Sequence, residues 1–210
     1  MSKGVLTVVS GFSGAGKGTV MKRLLEKYDD YALSISVTTR KPRDGERDGI
    51  EYFFKTREEV ETMIDNGELL EYAEYVGNYY GTPKSYVQQM LSEGKNVILE
   101  IDIQGAMNIK KQIPDAVLVF VTPPSFEELR SRLIGRGTEG LDVIESRLNR
   151  AAEESEGMNE YDYILINDEV EECVDCLHRI IQSERCGSHN NLEFINTIQK
   201  EAKAAMKGDK

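Results

Sequence analysis

The chain has 210 residues, 40% of them hydrophobic, and a formal net charge of −11. That length is long for one domain and short for two independent ones, and the apolar share can fill a sizeable core. So acidic a chain repels the phosphates of nucleic acid and of anionic membranes, and no apolar run approaches the ~20 residues that span a bilayer. The opening MSKGVLTVV enters a strand pattern at once with no small-residue cleavage site, so no signal peptide is expected.

Residues 5–9 form a short β-branched run, the pattern of a buried strand. Glycines follow, and residues 19–28 then carry helical apolar spacing at Val20, Leu24 and Leu25. Residues 34–90 change texture, with short alternating stretches, glycine punctuation and most of the tyrosines, and are expected to be an inserted β-rich substrate subdomain. Residues 96–102 read as a second buried strand, followed by a helix ending near Pro114, and residues 116–121 as a third strand. Pro123 and Pro124 break the chain, and Ser125 suits the N-cap of a helix running to about Leu133. Residues 135–140 are glycine-rich and arginine-bearing, as a mobile lid over 134–150 would be. Residues 161–166 make a fourth strand and 169–184 a closing helix. In the tail, Leu192, Ile195, Ile198 and Ala202 recur at helical spacing, and this helix is expected to pack on the body or on a second copy.

Strands alternating with helices predict an α/β fold with a parallel sheet and helices on both faces. The expected division is a core of residues 1–33 and 91–185, an insertion of 34–90, a lid of 134–150 within the core, and an extension of 186–210.

Gly11, Phe12, Ser13, Gly14, Ala15, Gly16, Lys17, Gly18 and Thr19 follow a strand and open a helix, which is the setting of a phosphate-binding P-loop. The glycines let backbone N–H groups turn inward around phosphate oxygens, and the helix N-terminus adds a favourable dipole. Lys17 is placed to reach the β- and γ-phosphates. The strict pattern has Ser or Thr directly after the lysine as a magnesium ligand, and here Gly18 stands there with Thr19 one residue later. The string GAGKGT is also how adenylate kinases write this loop.

Basic residues cluster at Arg40, Lys41, Arg43 and Arg47, and again at Arg130, Arg132, Arg136, Arg147 and Arg150. Such clusters on an acidic chain suit small phosphorylated ligands, or equally pairing with the many carboxylates. Three cysteines, Cys173, Cys176 and Cys186, fit no disulfide framework and suit a reducing, cytoplasmic compartment. With His189 they spell C-x2-C-x9-C-x2-H, a possible zinc set, although helical spacing makes Cys173 and Cys176 ordinary apolar residues on one face.

The run from Ser34 through Thr39, Arg40, Arg43 and Glu46 to Tyr52 resembles the guanylate kinase signature. So do Glu71, the segment from Gly77 through Tyr80 to Thr82, the segment from Glu100 through Asp102 to Gly105, and Arg132 with Gly135, Arg136 and Glu139. The likeness runs from about Leu6 to Gln182 in the family's order and spacing. It implies a P-loop three-layer fold and Mg²⁺-dependent phosphoryl transfer from ATP to GMP, and also to dGMP, within purine nucleotide metabolism, by a monomer or homodimer.

Carried over residue by residue, the resemblance assigns the GMP phosphate to Arg40, Arg43, Tyr52 and Tyr80, with Glu46 in the same site. Glu71 would accept hydrogen bonds from guanine N1–H and the 2-amino group, and Ser36 and Thr82 would complete the base pocket; the family most often has serine where Thr82 stands. Asp102 would organise Mg²⁺-bound water or the arginines, Thr19 would help hold the metal through water, and Glu100 would work nearby. Lys17, Arg40, Arg132, Arg136 and Arg147 would stabilise the transferring phosphoryl, and Asn167 would contact adenine. No base is needed, because the attacking phosphate oxygen is already ionised, and neither His178 nor His189 lies in a motif. The alternatives are another nucleoside monophosphate kinase or a non-catalytic interaction module of the same fold. Glu71 argues against the first, and intact Lys17, Arg40, Arg136 and Arg147 against the second.

Overall fold

The computed structural model describes residues 3–135, 137 and 140–208. The elements in chain order begin with β1 (Leu6–Gly11), α1 (Lys17–Lys27), β2 (Tyr31–Leu33), β3 (Val37–Thr38), β4 (Phe53–Phe54) and α2 (Arg57–Asp65). Next come β5 (Leu69–Tyr75), β6 (Asn78–Pro83), α3 (Lys84–Ser92), β7 (Asn96–Glu100), α4 (Ile103–Gln112) and β8 (Val117–Thr122). The chain closes with α5 (Phe126–Gly135), α6 (Leu141–Ser155), β9 (Tyr163–Ile166), α7 (Val170–Arg185) and α8 (Leu192–Gly208).

The central sheet is parallel with strand order β2-β7-β1-β8-β9. Its inner strands are continuous apolar runs, as strands covered on both faces must be: Val8, Val9, Val97, Leu99, Leu118 and Phe120 are fully buried. Because parallel crossovers are right-handed, the path from β1 to β2 and the path from β7 to β8, which run in opposite directions along the sheet, place α1 and α4 on opposite faces. The expected α/β fold with a parallel sheet is therefore observed. Helix α7 pairs with α1 through Lys27 and Asp175 (2.6 Å) and through His178, stacked on Tyr28 at 3.8 Å and bonded to the Tyr31 hydroxyl at 2.8 Å. His178 is thus a packing residue. Ser125 caps α5 as expected, its hydroxyl accepting the Glu128 N–H at 3.0 Å.

A second, mixed sheet of order β4-β3-β6-β5 stands beside the first, with its own small core of Val37, Val60 and Leu69. Helix α3 belongs with the main core, where it buries Val87 and Leu91. Cys173 is buried within α7, Cys186 just past its end is exposed, and His189 Nε2 lies 3.3 Å from Glu184. Among the described residues no group of three or more His, Cys, Asp or Glu side chains could hold a metal ion.

Candidate active site

Adjacent strands β1 and β7 send their connections to opposite sides of the sheet, so a crevice opens beyond their C-terminal ends. The β1–α1 and β7–α4 loops meet there, tied by the Ser10 hydroxyl donating to the Ile101 carbonyl at 2.9 Å.

The first loop is the glycine loop. Gly11 cannot carry a side chain, since a Cβ would stand 2.0 Å from the Val121 carbonyl of the neighbouring strand. Gly16 takes φ +88° at the N-cap of α1, a left-handed conformation that points the following N–H groups into the loop. Lys17 Nζ donates to the carbonyls of Gly11 (2.6 Å) and Phe12 (3.1 Å), so its charge lies across the loop mouth. Ser13, Gly18 and Thr19 are exposed, while Phe12 and Ala15 are buried beneath.

Asn167, which follows β9, is only 2% exposed, and its amide donates to the Ala15 carbonyl at 2.8 Å. Its backbone carbonyl accepts from Arg132 Nη1 at 2.9 Å, and Arg132 Nε is held by Glu128 at 2.8 Å. Asn167 therefore buttresses the glycine loop from below and links it to α5. Arg147 of α6 donates to the Ser13 hydroxyl at 2.8 Å, which brings a second arginine to the loop. Arg136 lies outside the described residues.

The cavity over the loop, of about 570 Å³, is lined by Gly11, Ser13, Lys17, Asp102, Arg147 and Arg150 among others. Glu100 opens into it, yet loss of solvent raises its carboxyl pKa, with Lys17 acting in the opposite direction. Asp102 accepts the Gly105 N–H at 2.8 Å and so caps α4, which fixes one carboxylate oxygen and the direction of the other.

A second cavity, of about 390 Å³, abuts the first and is lined by Ser36, Tyr52, Glu71, Tyr80, Asp102 and Arg150 among others. It lies between the small sheet and the main one. Strands β5 and β6 pair with a register shift between Leu69 and Tyr72, so Leu70 and Glu71 together oppose Thr82. This bulge lets Leu70 enter the main core while Glu71 turns to the Thr82 hydroxyl, which donates to it at 2.7 Å. Burial raises the Glu71 carboxyl pKa, the Thr82 bond opposes this, and the Asp102 charge adds to the rise. Ser34, whose buried hydroxyl has no partner in the structure, lines the adjoining space with Ser36 and Thr82.

At the other end of this cavity sits a cationic, aromatic corner. Arg40 lies 5.4 Å from the Tyr52 ring centre, and the Tyr52 and Tyr80 rings are 6.0 Å apart. The β3–β6 register pairs Thr38 with Tyr80, which is what brings Tyr80 to Arg40. Glu46 takes both arms of the Arg40 fork at 2.9 Å and accepts the Arg43 N–H at 2.7 Å. Its carboxylate pKa is held below the ordinary range, chiefly by Arg40. A dianion is repelled by Glu46, so this residue is placed to aim the arginine.

The folded chain thus gathers Ser36, Tyr52, Glu71, Tyr80 and Asp102 around one cavity and Gly11, Ser13, Lys17, Asp102 and Arg147 around the other. Arg150 joins them from outside any motif, and Ile101 and Ser34, which stand within the signature strings without an assigned role, line the same space. A family model described as guanylate kinase matches residues 3–184. A Lactococcus lactis guanylate kinase is 56% identical over 182 residues, 87% of this chain and 89% of its own. A Halalkalibacterium halodurans guanylate kinase is 51% identical over 196 residues, 93% of this chain and 96% of its own. The crystal structure of guanylate kinase from Anaplasma phagocytophilum superposes with a TM-score of 0.70 at 36% identity and covers 89% of each chain. A match across most of the chain, joined to the two abutting cavities, places this protein in the guanylate kinase family.

Proposed function

We propose that the chain transfers the γ-phosphoryl group of ATP to GMP, giving ADP and GDP, by direct in-line displacement between two bound nucleotides. The observation that carries this is Glu71: a half-buried carboxylate, bonded to Thr82, walls a cavity that abuts the glycine-loop cavity at Glu100 and Asp102. Guanine offers N1–H and a 2-amino group to such an acceptor. Adenine offers neither, and would leave a buried charge facing a lone pair, a mismatch that supports strong discrimination.

Arg40 and Arg43, with the Tyr52 and Tyr80 hydroxyls, hold the acceptor phosphate, and Glu46 orients the guanidinium. Lys17 exchanges the carbonyls of Gly11 and Phe12 for β- and γ-phosphate oxygens. Arg132, Arg136 and Arg147 close over the donor and face the charge that spreads over the equatorial oxygens in the transition state. The attacking phosphate oxygen is already ionised, so no side chain must remove a proton. Closure of the small sheet and the lid excludes water that would otherwise hydrolyse ATP. Glu71 reads the base and not the sugar, so dGMP is expected as a second acceptor.

The hard oxygen donors at this crevice suit Mg²⁺ held chiefly by phosphates and water. Gly18 offers no hydroxyl beside Lys17, and Asp102 and the exposed Thr19 would reach the ion through water. The ion would neutralise charge on the β- and γ-phosphate oxygens. Among the described residues no helix is long and apolar enough to cross a membrane. A cytoplasmic site of action is proposed on the free thiols of Cys173, Cys176 and Cys186, which suit a reducing compartment. An ADP-release assay with GMP, AMP, CMP and UMP as acceptors tests the assignment: GMP should be preferred by orders of magnitude, and a preference for AMP overturns it.

A further inference from the structure

The donor and acceptor cavities share lining residues, and these form a seam. Glu100, Ile101, Asp102 and Arg150 line both. Two of the four are acidic, yet a reaction between two phosphates must cross this seam. Arg150 is the shared residue that brings positive charge, and it stands one helical turn after Arg147 on α6, so both side chains leave the same face of the helix. Arg147 already reaches the glycine loop at Ser13. Arg150 Nε donates to Glu154 at 2.9 Å, with side-chain exposures of 63% and 19%. That bond anchors the stem, and a guanidinium carries five N–H donors in a planar fork, so its outer edge can serve an anion while the inner edge keeps Glu154.

We infer that Arg150 is a further catalytic residue, whose guanidinium spans the donor γ-phosphoryl and the acceptor phosphate from beside the line of transfer when both nucleotides are bound. The inference rests on the phosphoryl transfer proposed above and extends it to a residue that no motif assigns. Arg150 lines both cavities and belongs wholly to neither, so either nucleotide alone engages only part of its fork. With both bound, it counters the repulsion between the two phosphate groups and the field of Glu100 and Asp102. Its contribution therefore belongs to the ternary complex and the transition state.

The test uses Arg150→Gln and Arg150→Lys in the full chain, with three ligands: ATP, GMP, and an adenosine–guanosine dinucleotide joined by five phosphates. The Gln variant should lose about 100-fold in kcat, the loss typical for one charged donor at a transition state, with KM for each nucleotide little changed. Its Kd for the dinucleotide should rise at least tenfold, while the Kd for GMP and for ATP alone moves less than threefold. The Lys variant should recover part of both losses. A merely structural Arg150 would weaken all three ligands alike, and that result, or an unchanged kcat, overturns the inference. Wild-type chain that turns over no GMP would instead overturn the proposed activity, and the Arg150 assignment with it.

Discussion

Replacing Glu71 by glutamine separates recognition from stability. In the structure the carboxylate is bonded to Thr82 at 2.7 Å and made harder to ionise by burial and by Asp102. Guanine N1–H and the 2-amino group each donate to an ionised acceptor, and each such bond contributes about 1.5–3 kcal/mol. Glutamine keeps one carbonyl oxygen, which Thr82 can still use, and turns an NH₂ donor towards the other guanine donor. One charged hydrogen bond is lost and one donor–donor clash appears, together about 3 kcal/mol, or roughly two orders of magnitude in kcat/KM. Discrimination against AMP should shrink as well, because the amide can donate to adenine N1. The folded protein, relieved of a buried charge, should melt at the wild-type temperature or slightly above it. The assay is steady-state kinetics with GMP and AMP, with thermal unfolding measured in parallel. Wild-type kcat/KM for GMP in Glu71→Gln would refute the assignment, as would a loss of activity fully accounted for by unfolding.

With the proposed role, the same carboxylate should make GMP affinity depend on pH. Only ionised Glu71 can accept both guanine donors, and burial raises its pKa, so the GMP dissociation constant should be flat only at pH well above that raised value. It should rise up to ~tenfold per unit as pH falls through that raised pKa, and this dependence should vanish in Glu71→Gln, as calorimetric titration would show. In the free protein the sign is opposite: a raised pKa favours the protonated folded state, and that contribution fades as pH rises through it. At the β5–β6 turn, exposed Val76 is held at φ +49° beside Gly77 at +72°, a left-handed strain for a β-branched residue. Val76→Asn should therefore add about 1 kcal/mol in urea unfolding, and no gain would show the turn to be relaxed. Gly16→Ala would set a Cβ 2.4 Å from the Asn167 amide at φ +88°. It should cost about 2 kcal/mol of stability and more than about tenfold in turnover, measured by thermal melts and the ADP-release assay, and wild-type values would remove Asn167 from its supporting role.

Contiguous features were legible in the sequence. The glycine loop is nine consecutive residues, its strand and helix flank it directly, and the buried strands announce themselves by β-branched runs. Features made by pairing distant segments were not. Asn167 sits under Ala15 because the β8–β9 register carries the end of β9 beneath the loop, a contact spanning 152 residues that no local string announces. Glu46 stands in the right string, but only the folded loop shows its carboxylate gripping Arg40. The bulge that aims Glu71 leaves no local mark, since it depends on how β5 pairs with β6. Of the second arginine cluster, spacing could not say which members face a cavity. The three-residue strand β2 is too short to show a period at all.

The small sheet is proposed to hold GMP by its base at Glu71 and by its phosphate at Arg40, Tyr52 and Tyr80. A crystal structure of the protein with GMP tests this most directly. Guanine N1 and the 2-amino nitrogen should lie within hydrogen-bonding distance of the Glu71 carboxylate, with the phosphate among Arg40, Arg43 and the two tyrosine hydroxyls. A nucleotide seated in the glycine loop with the Glu71 cavity unoccupied, or a guanine turned away from Glu71, would contradict it.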